Sequence, residues 1–343
     1  MPVTKPVLAL MALVCGCHPL SASAQTAATV QTAADFYRGQ TIKLYVSASV
    51  GGGYDHVSRL FVKYFPNHMP GKPNIIVMNM PGAAGVSMTN WAYNVAPKDG
   101  TMIGMPNLTV PMNQVTMPDQ VRYDATRLNW LGNLEEATGS LFTWHTSPTR
   151  TIQQAMTRET VMGVSSRSSV LYQLLALSNR LLGTKFKIIL GYDSNRVISV
   201  ERGEIEGSAS TLQNYAGIAP HWLPNKLVNI LVVNAERRAA KYPDVPTMME
   251  LTDNPTHKQM LLFMMLQSAT ARAMFAPPGV PPERVEALRR AFDQTARDPG
   301  FLADMERSQI EVEPATGEDT QAAVARLVAT SPEVATLVLE AIK

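Results

Sequence analysis

The chain has 343 residues, of which 45% are apolar and 17% charged, a balance that excludes a disordered or collagen-like polypeptide and supplies the side chains for a real core. Lys and Arg total 30 against 28 Asp and Glu, and a net charge of +2 excludes recognition of a polyanion such as nucleic acid through bulk charge. At roughly 100–200 residues per domain, this length favours two domains, or two lobes with a cleft between them.

The first predicted element is a leader. Residues 1–24 carry a single charge, Lys5, then a short apolar stretch from Val7 to Cys17, then the small residues Ala22-Ser23-Ala24 ahead of Gln25. Such a segment reads as a cleaved secretory signal, too short for the ~20 residues that a bilayer crossing needs. Cys15 and Cys17 both lie inside it, so the processed chain has no disulfide and no thiol chemistry. Val14-Cys15-Gly16-Cys17 is also a degenerate lipoprotein box, which makes lipid anchoring the alternative to a soluble exported protein.

Beyond a polar run to Ala34, Ile42, Leu44 and Val46 alternate with polar neighbours and lead into Gly51-Gly52-Gly53-Tyr54-Asp55, a strand followed by a glycine turn. Val57, Leu60, Phe61, Tyr64 and Phe65 then recur at helical spacing, with Asp55 placed to cap that helix. The unit repeats: Asn74 to Met80 as strand, Pro81-Gly82-Ala83-Ala84-Gly85 as turn, Val86 to Val95 as helix, and a third strand near Thr101 to Met105. Further strands are predicted at Leu141 to Thr146, Val161 to Ser165, Lys185 to Leu190, Ile205 to Ser210 and Val228 to Val233, with helices at Ser168 to Leu182 and Asn195 to Arg202. The last third reads as a strand at Ala271 to Ala276, a helix at Pro282 to Arg297, a helix near Phe301, a short strand at Ile310 to Val312, and helices from Asp319 and Ser331. Alternating strands and helices predict an α/β fold, each lobe a mainly parallel sheet flanked by helices, with the tail folding back on the first lobe.

No metalloprotease, P-loop or nucleophile-elbow motif is present, and His56, His68, His145, His221 and His257 show no metal-ligand spacing. Neither a metal nor a cofactor is expected. The glycine turns carry more information, because amides at a helix start are unpaired and glycine lets an anionic oxygen approach them. Three turns follow strands in this way: Gly51 to Asp55, Gly82 to Gly85, and Ser165-Ser166-Arg167-Ser168-Ser169. Parallel α/β sheets bind ligands at the carboxyl ends of their strands, so the turns are expected to meet on one cleft. One helix end contributes only about 0.3–1 kcal/mol when exposed and up to ~2 when partly buried, so several must act together. Arg167 is a candidate fork for a carboxylate and Tyr54 a candidate stacking surface for an apolar ligand body.

These residues resemble a known family, the Bug-type periplasmic solute-binding receptors of the tripartite tricarboxylate transporters. The similarity runs through Phe36-Tyr37-Arg38-Gly39-Gln40, Gly51-Gly52-Gly53-Tyr54-Asp55, Asn79-Met80-Pro81-Gly82-Ala83-Ala84-Gly85 and Ala96-Pro97-Lys98-Asp99-Gly100-Thr101. It continues in Gly191-Tyr192, Arg202-Gly203-Glu204, Pro243-Asp244-Val245-Pro246-Thr247 and Ala276-Pro277-Pro278-Gly279-Val280-Pro281. The resemblance implies a two-lobed type II binding protein, with lobe 1 from 25–138 and 251–343 and lobe 2 from 139–250, closing on a small organic acid. It implies ligand contacts from Gly51, Gly52, Gly53, Tyr54 and Asp55, from Gly82, Ala83, Ala84 and Gly85, and from Ser165, Ser166, Ser168 and Ser169. Two departures stand out: Ala48-Ser49-Val50 where many members carry prolines, and Arg167 where they carry glycine. Arg167 and Tyr54 suit a dicarboxylate or an aromatic acid. The expected partners are that acid and membrane transporter subunits, with the receptor acting as a monomer. Two alternatives remain at this point, an exported hydrolase using Asp55, His56 and a second-lobe serine, and a ligand-sensing adaptor.

Overall fold

The computed structural model describes residues 1–3, 32–135, 138–167, 169–192, 195–212, 215, 219–308 and 310–342. The predicted leader, apart from its first three residues, lies outside them, as does Ser168. Ala33–Lys343 forms one compact unit that carries two sheets. Among the described residues no single helix is long and apolar enough to cross a membrane.

The first sheet contains β1 (Thr41–Val46), β2 (Asn74–Asn79), β3 (Met102–Met105), β4 (Asn129–Asn133), β10 (Ala273–Ala276) and β11 (Ala315–Thr316), in the order β11-β4-β10-β3-β1-β2. The second contains β5 (Gly139–Trp144), β6 (Thr160–Val164), β7 (Phe186–Leu190), β8 (Gly207–Thr211) and β9 (Val228–Asn234), in the order β7-β6-β8-β5-β9. Both sheets are mixed, which corrects the expectation of mainly parallel ones. β1 runs parallel to β2 and β3, and β6 parallel to β7 and β8, whereas β10 is antiparallel to β3 and β4, and β5 to β8 and β9. The cause lies in the crossovers. Strands β1 to β4 run one way in the first sheet and β6 to β9 one way in the second; β5 and β10 follow chain segments that arrive from the other sheet and run the opposite way, and β11 keeps the direction of β10. The carboxyl ends of β1 to β4 therefore share one end with the start of β10, and those of β6 to β9 share one with the start of β5.

Alternation in β1 buries Ile42, Leu44 and Val46, as the sequence predicts, against the Gly53–His68 helix. Phe61 of that helix is fully buried, 5.1 Å from Phe65, 5.5 Å from Phe292 and 5.9 Å from Phe301 between ring centroids. The helix Pro282–Ala296 is thereby fastened to the first. In the segment expected to return to lobe 1, the helix Pro255–Leu266 buries Met260, Leu261, Phe263 and Met264 with Leu141, Met162 and Val232 of the second sheet. The final helix, Pro332–Ala341, adds Val334 and Val338 to that same core.

Two predicted elements differ. Ile310–Val312 is not a strand: the Ile310 amide closes the preceding helix onto the Met305 carbonyl, and pairing with β4 begins only at Ala315. The helix predicted from Ser168 to Leu182 is α-helical over Val170–Leu177 and widens to a π-turn over Ser178–Leu182. The Ser178 hydroxyl, bonded to the Leu174 carbonyl at 2.7 Å, marks the change. Because Phe61 joins two helices to one sheet, Phe61→Ala is expected to destabilise the protein by about 3–5 kcal/mol in urea denaturation, with the m-value unchanged. A loss below about 1 kcal/mol would contradict this packing.

Candidate functional site

Gly51–Asp55 and Gly82–Gly85 leave adjacent parallel strands, whose last residues Val46 and Asn79 are register partners. They are tied to each other by side chains. The Asn79 amide nitrogen donates to the Ala48 carbonyl and to Asp55 Oδ1, each at 2.9 Å. Asp55 Oδ2 accepts from the Gly51 amide at 2.8 Å and from Arg59 Nε at 2.9 Å. Asp55 is 2% exposed. The Arg59 guanidinium foremost, with the Gly51 amide and Asn79, holds its carboxyl well below the usual range, at about 2. Asp55 is therefore not the helix cap predicted for it. Gly52 occupies that position without a side-chain bond, and Asp55, three residues on, reaches back to brace the turn.

This bracing decides which amides face a ligand. Gly51 donates to Asp55, Gly52 to the Ser49 carbonyl and Gly85 to the Gly82 carbonyl. Gly53, Tyr54, Asp55, Ala83 and Ala84 have no partner for their amides among the described residues. The second turn is conformationally costly, with φ of 143° at Gly82, 44° at Ala83, 49° at Ala84 and 90° at Gly85. Left-handed geometry costs alanine roughly 1–2 kcal/mol, and such strain persists where a site depends on it. A third loop, Asn107 to Thr109 after β3, supports both. The Tyr54 hydroxyl accepts from the Leu108 amide at 3.2 Å, and the Thr109 hydroxyl donates to the Ala84 carbonyl at 3.4 Å. Gly85 packs so closely that a Cβ there would lie 3.0 Å from Val110 and 3.1 Å from Asn107. Gly51, Gly53 and Pro81 to Ala84 are exposed, so this half of the site opens to solvent.

In the second sheet, the predicted serine turn follows β6. Ser169 caps the next helix, accepting from the Tyr172 amide at 3.1 Å and donating to the Ser166 carbonyl at 2.8 Å. The Ser165 carbonyl accepts from the Gly191 amide at 3.1 Å. Exposed Arg167 precedes the helix Val170–Leu177 and reaches forward onto its first turn, 3.3 Å from the Tyr172 hydroxyl. His56 meets Ser308 Oγ at 3.0 Å while the Asp55 carboxylate is engaged elsewhere, an arrangement unlike the base and nucleophile of the hydrolase alternative.

Sequence reasoning missed a charged pair beside Tyr54. Arg272 Nε donates to Glu135 Oε2 at 2.9 Å, and the guanidinium carbon lies 5.0 Å from the centroid of the Tyr54 ring. No motif marks either residue; Arg272 was absorbed into a predicted strand. A cavity of about 1040 Å³ lies elsewhere between the two sheets, lined among others by Thr138, Leu212, Tyr215, Asn234, Ile310 and Val312, and by none of the residues predicted to bind ligand.

The fold has counterparts. A TctC solute binding protein from Polaromonas, solved with no ligand, superposes with a TM-score of 0.69 at 21% identity, over 89% of this chain and 99% of that one. MatC from Rhodopseudomonas palustris, solved with bound malate, gives a TM-score of 0.52 at 20% identity, over 88% of this chain and 96% of that one. The UPF0065 protein in the gbd 5' region of Cupriavidus necator is 23% identical over 288 residues, 82% of each chain. No family model matches the chain. The chain has the fold of the TctC solute-binding proteins, two α/β sheets flanked by helices, as the sequence resemblance implies.

Two measurements check the geometry. Gly85→Ala should cost about 2 kcal/mol or more through strain and crowding, whereas Ala84→Gly should cost nothing or stabilise by up to ~1 kcal/mol; thermal unfolding of both variants reads the difference. Asp55→Asn should cost about 1–3 kcal/mol at neutral pH, because it strips a buried acceptor from Gly51 and Arg59. A depressed carboxylate stabilises the fold above its unfolded pKa, near 4, and that stability is lost as pH falls toward about 2. Urea titrations between pH 6 and pH 3 should therefore show the variant's deficit shrinking. A deficit independent of pH would contradict the bracing role.

Proposed function

We propose that this chain is a periplasmic receptor that binds a small organic carboxylate between two lobes, one built on each sheet, and delivers it to a membrane transporter. The observation that carries this reading is the convergence of two braced turns, with unpaired amides at Gly53, Tyr54, Asp55, Ala83 and Ala84, at one end of the first sheet. Amides in that arrangement complement a carboxylate. Export through a cleaved leader fits the same role, and the fold it shares with MatC, which was solved with malate, supports a dicarboxylate as the guest.

Each helix end contributes little while wet. Lobe closure over the exposed turns would remove water and raise the worth of each amide, so the bound acid selects the closed state by its higher affinity for it. Ser165, Ser166, Ser168, Ser169 and Arg167 would then cover the far side of the guest. A thermal-shift screen against mono- and dicarboxylates tests the reading, because a ligand that binds only the folded state raises stability by about 2.7 kcal/mol at a hundred times its Kd. Stabilisation by one or more small acids is the expected result, and no stabilisation by any of them would overturn it.

A further inference from the structure

We propose that Arg272 is the charged anchor of this site, taking one carboxylate of the guest directly at the mouth of the first glycine turn. The proposal rests on the receptor reading above and assigns a direct ionic contact where that reading needs only backbone amides.

Arg272 is fixed where the sheets join. It stands immediately before β10, its amide donating to Asn133 Oδ1 at 2.9 Å and its carbonyl accepting from the Leu134 amide at 3.3 Å. From there the side chain lies over the Tyr54 ring, whose hydroxyl is held by the Leu108 amide. Its terminal nitrogens reach within 3.7 and 3.8 Å of the position a Cβ would take on Gly53, the first residue of the helix. The absence of a side chain at Gly53 leaves room between the guanidinium and the free amides.

The hydrogen-bond count points to a ligand. A guanidinium carries five N–H donors. Glu135 takes only the one on Nε, and the terminal nitrogens have no hydrogen-bond partner among the described residues. The Arg272 side chain is 19% exposed, which leaves its unpaired terminal nitrogens open to an incoming anion. A planar fork with both outer arms unused matches the two oxygens of a carboxylate, and its stacking on Tyr54 sets the plane in which the acid must lie. The site should accordingly discriminate against the amide of the same acid, which offers no anionic oxygen pair.

The test uses calorimetric titration of the full chain with succinate, malate, glutarate and adipate, and with the diamide of whichever acid binds tightest. Arg272→Gln should weaken that acid about tenfold to a hundredfold, the loss of a charge-assisted hydrogen bond, and narrow the preference for acid over diamide by a similar factor. Glu135→Gln keeps the cation and removes its competitor, so it should bind the acid as tightly as wild type or more tightly. If Arg272 serves only to satisfy Glu135, both variants weaken binding equally and the proposal falls. The double variant R272Q/E135Q replaces the ion pair with a neutral one and guards against misfolding of R272Q alone; binding at wild-type strength by the double variant would also overturn the proposal. If wild type binds neither these four acids nor any acid of the thermal-shift screen, the receptor reading itself fails and the anchor with it; if it binds an acid and R272Q binds that acid equally well, only the anchor falls.

Discussion

One buried carboxylate holds the candidate site in shape. Asp55 accepts from Gly51, Arg59 and Asn79 at once, and Asn79 stands at the end of the neighbouring strand. Two turns from different strands are thereby held as a single surface, and the amides left over are those that point away from the brace. Backbone donors can bind an anion well only if they are fixed before it arrives, because ordering two loops on binding would cost more than several helix ends return. The left-handed alanines at 83 and 84 fit the same logic: the fold tolerates local strain where the third loop, through Thr109 and Val110, over-determines the conformation.

The second constraint is topological. β1 to β4 in one sheet and β6 to β9 in the other share a direction, while β5 and β10, which follow the segments that cross between the sheets, run against it and β11 runs with β10. The antiparallel strands inside otherwise parallel arrays are thus a consequence of crossing between lobes, and they bring the crossing segments beside the turns. Arg272 and Glu135 lie on two such segments, and their ion pair touches Tyr54. A carboxylate engaging the guanidinium would contact the turn and the junction together, which links occupancy of the site to the relative position of the lobes.

Much of this was legible in the residues. Alternation at Ile42, Leu44 and Val46, helical spacing from Val57 to Phe65, and glycine turns after two strands carry strong periodic signals, and the structure holds each of them. β4 carries no such signal, because Trp130, Leu131, Gly132 and Asn133 are all buried and a strand covered on both faces does not alternate. The two-residue β11 is too short for any pattern. At the site, the spacing placed Asp55 near a helix start but not the direction of its carboxylate, which depends on Asn79 and Arg59 across the turn. Arg272 was beyond reach for a different reason: its partners are Glu135 and Tyr54, 137 residues away in one case, and only the folded chain brings them together.

The account depends on where an acid first touches the chain. Amide chemical shifts of the nitrogen-15-labelled protein, followed while a stabilising dicarboxylate is titrated in, measure this directly. The predicted result is that the largest changes fall on Gly53, Tyr54, Asp55, Ala83 and Ala84. Changes centred instead on Tyr215, Asn234 and Val312, around the cavity between the sheets, would contradict it.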